Sequence, residues 1–102
     1  MSDVFDININ YADSTLIARG HLDVGAVSTF LDSAKTLIAT ATNAILIDMS
    51  AVKFLDSSGL GALVAAKNAA EMKGLNLSLR NATPRVLELI RMTGLSEVFP
   101  TA

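Results

Sequence analysis

Short strand-like runs alternate along this chain with longer segments of helical periodicity, and this alternation limits the possible folds more than any other feature. From Phe5 to Tyr11 apolar and polar side chains alternate, which is typical of a strand with one solvated face. Thr15 to Arg19 is predicted to be a second strand, across a turn at residues 12–14. Ala44 to Met49 is a short continuous apolar run, as in a strand covered on both faces, and Leu75 to Arg80 alternates again. We therefore predict four strands, the first two joined as a hairpin.

Three helices are predicted between and after these strands. Asp23 is a suitable N-cap for a helix whose apolar side chains recur at helical spacing from Val27 to Ala41. A second helix is expected from Ser57 to Met72. The third begins at Thr83-Pro84, an N-cap followed by proline in the first helical position, and ends near Gly94.

The resulting order, β-β-α-β-α-β-α, predicts an α/β fold in which a small mixed β-sheet is covered by helices. Residues 95–99 are expected to add a last helical turn or a short strand. In such sheets, sites lie beyond the carboxyl ends of the strands. Two strand-to-helix junctions should meet there: Gly20-His21-Leu22-Asp23 and, after a connection at residues 50–56, Asp56-Ser57-Ser58-Gly59.

Length and composition favour a single domain over residues 1–102. Hydrophobic residues make up 51% of the chain and charged residues 18%, which is not the composition of a disordered tail. No apolar run approaches the roughly 20 residues of a membrane span, and the acidic N-terminus is unlike a signal sequence, so we expect a soluble, cytoplasmic protein without a membrane partner.

The same composition argues against several classes of site. The net charge is −2 and the lysines and arginines are scattered, so nucleic-acid binding is not expected. The absence of cysteine excludes disulfides, zinc-thiolate sites and cysteine nucleophiles. With one histidine and scattered acids, neither a metal site nor a cofactor is expected.

The cluster of Asp56, Ser57 and Ser58 admits more than one interpretation. The simplest is capping of the second helix by Asp56 or Ser57. Another is phosphorylation of Ser57, because a helix N-terminus offers unpaired N–H groups and the positive end of the helix dipole to a phosphate. Gly59 and Gly61 would then let another chain approach the backbone closely, although they are equally consistent with a small-residue face packed on the sheet.

A serine hydrolase is a third interpretation of the cluster, and the sequence argues against it. A nucleophile elbow has glycine two residues before and two after the serine, whereas Leu55 precedes Ser57 and only Gly59 follows it. His21 would have to be the base. His21 and Asp23 are equally consistent with solvated loop residues.

The stretch VKFLDSSGLGAL, Val52 to Leu63, is similar to the signature of STAS domains, specifically of bacterial anti-sigma factor antagonists. Gly20-His21-Leu22-Asp23 resembles the Gly-Glu-Leu-Asp turn of that family, and the similarity continues in Arg91 to Leu95 and Val98-Phe99. It covers nearly the whole chain, and the Asp-Ser-Ser-Gly-Leu core is a specific signal.

The resemblance implies a phosphoprotein that regulates transcription, for example in a stress response, and is not itself an enzyme. The unphosphorylated antagonist binds an anti-sigma factor that is also a serine kinase, and sigma factor is released. The kinase binds ATP and phosphorylates the first serine of the motif, here Ser57, which ends binding until a serine phosphatase restores the hydroxyl. Asp23 and Asp56 would flank Ser57 at the partner surface, with His21, Ser58 and Gly59 beside them. Ser58 would also support the turn, and the free protein is expected to be a monomer.

Two features depart from the family pattern, and two alternative functions stay open. His21 replaces the usual glutamate, which would affect partner choice, and many relatives continue past the position of Ala102 into another strand and helix. The first alternative is a STAS module in another phosphosignalling complex or with a membrane transporter. The second is a small hydrolase that uses Ser57 and His21.

Overall fold

The computed structural model describes residues 4–99 and confirms the predicted order of strands and helices. The strands are β1 (Asp6–Asn10), β2 (Thr15–Leu22), β3 (Ala44–Leu55) and β4 (Asn76–Arg80), and the helices are α1 (Val27–Thr40), α2 (Ser57–Met72) and α3 (Pro84–Met92). A short 3-10 turn, Val24–Ala26, precedes α1. The strands lie in the order β1-β2-β3-β4, with β1 antiparallel to β2 and the other neighbours parallel. The mixed sheet with an antiparallel hairpin at its edge is therefore confirmed.

The register places the buried strand side chains on one face of the sheet. Ile47 of β3 is opposite Leu16 of β2 and Leu79 of β4, and all three are buried. Both parallel connections step in the same direction across the sheet, so right-handed crossovers bring α1 and α2 to the same face. There the two helices pack side by side, and Phe30 and Leu63 complete the core.

Two strands are longer than the sequence predicts. β2 continues past Arg19 to Leu22, and β3 continues past Met49 to Leu55, so residues 50–55 are strand and not a connection. The pairing of β3 with β2 shifts register twice in this part of the chain. Each shift inserts an extra residue into β3, which breaks the alternation that would mark a strand in the sequence.

The central strand is fully covered on one face only. Ile45, Ile47 and Met49 are buried, whereas Leu46 and Asp48 are half-buried. The prediction that this run is covered on both faces is therefore wrong for the second face. The aliphatic content of the run reflects its central position between β2 and β4.

Of the two structures predicted for residues 95–99, the helical turn is present and the strand is not. The N–H groups of Val98 and Phe99 both donate to the carbonyl of Leu95, at 3.0 and 3.3 Å, which closes a single turn. The turn returns Phe99 to the core, where its side chain is buried.

The first turn of α2 lies directly against the ends of β2 and β3. A Cβ atom on Gly59 would lie 2.0 Å from the carbonyl oxygen of Leu22 and 2.8 Å from Cδ1 of Leu55. Leu22 and Leu55 are register partners at the end of the β2–β3 pairing. Only glycine fits this position without moving the backbone of β2, whereas Gly61, two residues further, has nothing within 4 Å of its Cβ position.

We expect Gly59→Ala and Gly61→Ala to change stability in opposite directions. Gly59→Ala should destabilise the domain at or beyond the upper end of the roughly 1–3 kcal/mol typical of overpacking, because backbone must move. Gly61→Ala should stabilise α2 by about 0.5–1 kcal/mol, because alanine restricts the unfolded chain and meets no atoms. Urea unfolding of both variants checks this, and equal effects would contradict the packing of Gly59 on Leu22.

Candidate functional site

The two predicted junctions meet at one edge of the sheet. Leu22 and Leu55 are partners at the ends of neighbouring parallel strands, and each is followed at once by an aspartate, Asp23 or Asp56. Parallel strands lie about 4.8 Å apart, so the two helical segments begin side by side. The expectation that both junctions lie on one edge of the sheet, each at a helical N-terminus, agrees with this geometry.

Both aspartates act as N-caps, but Asp23 caps the 3-10 turn Val24–Ala26 and not α1 itself as predicted, since the N-cap residue of α1 is Ala26 and makes no side-chain cap bond. An Oδ1 of Asp23 accepts the Gly25 N–H at 3.1 Å, and Oδ1 of Asp56 accepts the Gly59 N–H at 2.9 Å. Both residues have extended backbone angles and are half-buried. Asp56, and not Ser57, is therefore the N-cap of α2. The side chain of Ser57 is not used to cap the helix.

Ser57 is the first residue of α2, and its side chain is exposed. Its hydroxyl makes no hydrogen bond with another residue of the described range 4–99. The Leu60 N–H bonds to the Asp56 carbonyl at 2.9 Å, so the N–H groups of Ser57 and Ser58 precede the first intrahelical bond. The Ser57 hydroxyl thus lies at the positive end of a 16-residue helix, open to solvent.

Ser58 lies in a groove between α1 and α2 and is half-buried. The groove has a volume of about 530 Å³ and is lined by Val24, Val27, Ser28 and Leu31 on one side and by Ser58, Gly61, Ala62 and Ala65 on the other. None of these side chains is charged, and Val24 at its entrance is 74% exposed. The Ser58 hydroxyl makes no hydrogen bond with another described residue, so the expected support of the turn comes from Asp56 instead.

The sequence does not reveal this groove, although it contains one signal. Ser58, Gly61 or Ala62, and Ala65 are small residues three and four positions apart, which places them on one side of a helix. The same spacing of small residues is equally expected of a helix face that packs on the sheet. In the structure Gly61 and Ala65 are exposed, so they belong to a groove and not to a packed face. Their exposure depends on where α1 lies, which the sequence of α2 does not specify.

Gly59 does not contribute to the accessible surface of the site. It is buried, and the space of its missing side chain is occupied by Leu22 and Leu55 of its own chain. This corrects the expectation that a partner approaches the backbone at Gly59. The open glycine of the pair is Gly61.

His21 packs on the side of the sheet away from α1 and α2. Side chains of β2 alternate, with Leu22 buried beneath the helices and His21 half-buried on the other face. Its ring contacts Phe54 of β3, with ring centroids 5.3 Å apart and planes inclined by 50°. No hydrogen bond joins His21 to Ser57 in the described residues, so the structure does not assemble the nucleophile and base that the hydrolase interpretation requires.

Within residues 4–99, no group of three or more His, Cys, Asp or Glu side chains is placed to hold a metal ion. No helix of this range has the length and apolar character needed to cross a membrane.

Several solved structures share the fold of this chain. The solved structure of SpoIIAA, an anti-sigma factor antagonist, in its unphosphorylated form is 25% identical, with a TM-score of 0.73 over 97% of this chain and 88% of that chain. Its phosphorylated form, from Bacillus, gives a TM-score of 0.67 at 24% identity over 97% and 91% of the two chains. An anti-sigma factor antagonist from Mycobacterium paratuberculosis is 24% identical, with a TM-score of 0.78 over 99% and 87%.

Two sequence comparisons identify the family. A STAS-domain containing protein of Pseudomonas aeruginosa (strain UCBPP-PA14) is 27% identical over 85 residues, which is 83% of each chain. The family model described as "Mlab, STAS domain" matches residues 5–100. With its fold, its junctions and this match over nearly its whole length, the chain belongs to the STAS domain family.

Proposed function

We propose that this protein is an anti-sigma factor antagonist that works by partner switching. In its unphosphorylated form it binds an anti-sigma factor serine kinase and frees sigma factor, and phosphorylation of Ser57 ends that binding. A serine phosphatase reverses the modification. ATP is bound by the kinase, and this chain is the substrate, acting in the cytoplasm as a monomer when free.

The observation that carries the proposal is that Asp56, and not Ser57, caps α2. Asp56 supplies the cap, so the exposed Ser57 hydroxyl at the start of α2 has no partner in the described chain. A kinase can reach this hydroxyl without unwinding the helix. The likeness to SpoIIAA, which has been solved with and without phosphate, supports the same conclusion.

The position of Ser57 also explains how a phosphate could act on binding and not on folding. A phosphoserine carries about −1.5 to −2 charges at neutral pH. The helix N-terminus favours a negative charge by about 0.3–1 kcal/mol, while the carboxylates of Asp56 and Asp23 oppose it. These effects are of similar size, so the stability of the domain should change little.

The proposed partner surface includes the site edge and the neighbouring groove. Asp23, Asp56 and Ser57 present polar groups at the edge, and the groove beside Ser58 offers uncharged surface. His21 borders Asp23 in a second depression on the same edge. A partner that places an anionic group opposite Ser57 would meet a like charge after phosphorylation, which costs several kcal/mol, and about 2.7 kcal/mol already lowers affinity a hundredfold.

We predict that the cognate kinase, with ATP and Mg²⁺, adds one phosphate to this chain, on Ser57. Ser57→Ala should abolish incorporation, and Ser58→Ala should retain it, because the Ser58 side chain is turned into the groove. Peptide mapping by mass spectrometry measures the position. A phosphate on Ser58 in the parent protein would contradict the assignment.

Charge at position 57 should be sufficient to weaken kinase binding. Ser57→Asp should bind at least partly like the phosphorylated protein, since it adds one charge, whereas Ser57→Ala should bind like the unphosphorylated parent. Asn68→Asp is the matched control, because it adds the same charge on an exposed position of the same helix, far from its N-terminus. Calorimetric affinities beside thermal melts check this, and equal affinity of folded Ser57→Asp and Ser57→Ala would remove charge as the switch.

Two substitutions of Asp23 separate its charge from its cap. Asparagine caps a helix about as well as aspartate, whereas alanine loses about 1 kcal/mol of stability. We expect Asp23→Asn and Asp23→Ala to weaken kinase binding alike, while only Asp23→Ala lowers the melting temperature. An Asp23→Asn variant that binds like the parent would show that the carboxylate is not part of the interface.

A further inference from the structure

A further depression, the distal groove, lies between α1 and α2 at the end of these helices that is far from Ser57. It has a volume of about 400 Å³ and is lined by Lys35, Ile38 and Ala39 of α1 and by Ala69, Met72 and Lys73 of α2 and its C-cap. Because an α-helix rises about 1.5 Å per residue, Met72 lies roughly 22 Å along α2 from Ser57. The distal groove is therefore separate from the proposed site of phosphorylation.

The base of the distal groove is apolar, and short side chains leave it open. On each helix the lining residues are spaced three and four positions apart, which places them on one face. Ile38 is buried, whereas Ala39 and Ala69 are too short to fill the space between the helices. Met72, at 88%, is the most exposed large hydrophobic side chain of residues 4–99. An apolar surface is thus left uncovered by the described part of the chain, beside a flexible thioether side chain that can adapt to a partner.

The shape of the distal groove determines the form of its occupant. Four of its six lining residues are exposed, so it does not enclose a ligand as small-molecule sites do. It is lined by no strand residue, so an extended peptide would find no backbone edge with which to pair. A groove between two helix faces is instead the arrangement that accepts an amphipathic helix, whose apolar side chains enter the groove.

The charges at the distal groove determine which helices it would accept. Each wall carries one lysine, Lys35 or Lys73, and neither ammonium group forms a hydrogen bond or ion pair within residues 4–99. No acidic residue of the described chain lines the groove, and the carboxylate of Glu71, next to Met72, is held by Lys67 at 3.2 Å. Lys73 lies at the C-terminus of α2, where the helix dipole alone favours a cation, but Lys35 lies five residues before the end of α1. The groove is thus locally cationic on a chain whose net charge is −2.

We propose that the distal groove binds an acidic, amphipathic α-helix of a partner protein. Apolar side chains on one face of that helix would lie on Ile38 and against Met72. Carboxylates on the two sides of this face would meet Lys35 and Lys73, since one lysine stands on each wall. Because the Ser57 hydroxyl is at the other end of α2, this contact would serve a second interaction of the domain, beyond partner switching.

The test uses the whole protein and an end-blocked peptide of about 18 residues, long enough to form a helix, with leucines on one face and glutamates on both sides of them. Amide NMR signals of residues 35–39 and 69–73 should shift at about 1 mM peptide. A peptide with lysine in place of glutamate should bind at least roughly tenfold more weakly. A glutamate peptide with serine in place of leucine, or with prolines in its middle, should not bind, because it lacks the apolar face or the helix.

Substitutions of exposed residues supply the control on the protein side, because they leave the core unchanged. Lys35→Glu should weaken binding of the glutamate peptide roughly tenfold or more, whereas Arg85→Glu, the same charge reversal at an exposed position of α3, should leave it unaltered. Ala39→Gln keeps the charge and a good helix former but places a polar side chain in the groove, so it should also weaken binding. Ser57→Asp should bind the peptide like the parent, so that this proposal and the phosphorylation switch can fail separately.

Three results with the peptides would each overturn the acidic helix as the occupant. These are no shift at about 1 mM peptide, shifts confined to residues 24–31 and 58–65 of the groove beside Ser58, and equal binding of the glutamate and lysine peptides. Vesicles of phosphatidylglycerol are the remaining probe. Binding of these vesicles without binding of the peptide would assign the cationic, apolar surface to a membrane instead.

Discussion

The close contact between Gly59 and the carbonyl of Leu22 determines how α2 is positioned at the end of β2. Because position 59 has no side chain, the first turn of α2 can pack directly on the end of β2, and two helical N-termini lie at one edge of the sheet. A larger residue at position 59 would push α2 away from β2 and separate Asp56 from Asp23. The glycine of the Asp-Ser-Ser-Gly motif therefore positions the site without belonging to its surface.

Asp56, Ser57 and Ser58 have different surroundings, although one N-cap residue would be enough to begin α2. The carboxylate of Asp56 is taken up by the Gly59 N–H, and Ser58 faces the groove. This leaves Ser57 as a hydroxyl that can be modified while the helix start stays intact. A serine that was itself the cap would have to release the helix in order to react.

The element order and the places where the helical segments begin could be predicted from the sequence because each depends on local chemistry. Asp23 and Asp56 precede helical periodicity, and Thr83-Pro84 begins α3 with its own cap, whose hydroxyl accepts the Val86 N–H at 3.3 Å. The second half of β3 could not be predicted, since its bulges remove the alternation. The groove beside Ser58 and the burial of Gly59 depend on contacts between distant segments, which no local pattern specifies.

The distribution of charge around the groove between α1 and α2 has a kinetic consequence. Asp23 directly precedes Val24, Asp56 lies two residues before Ser58, and none of the side chains that line the groove beside Ser58 is charged. For a partner with cationic groups facing Asp23 and Asp56, these charges would govern how fast the complex forms, and added salt would slow association by screening them. The uncharged walls would instead govern residence time, which salt hardly alters. Capture and retention of a partner would thus be separable properties of two neighbouring parts of one surface.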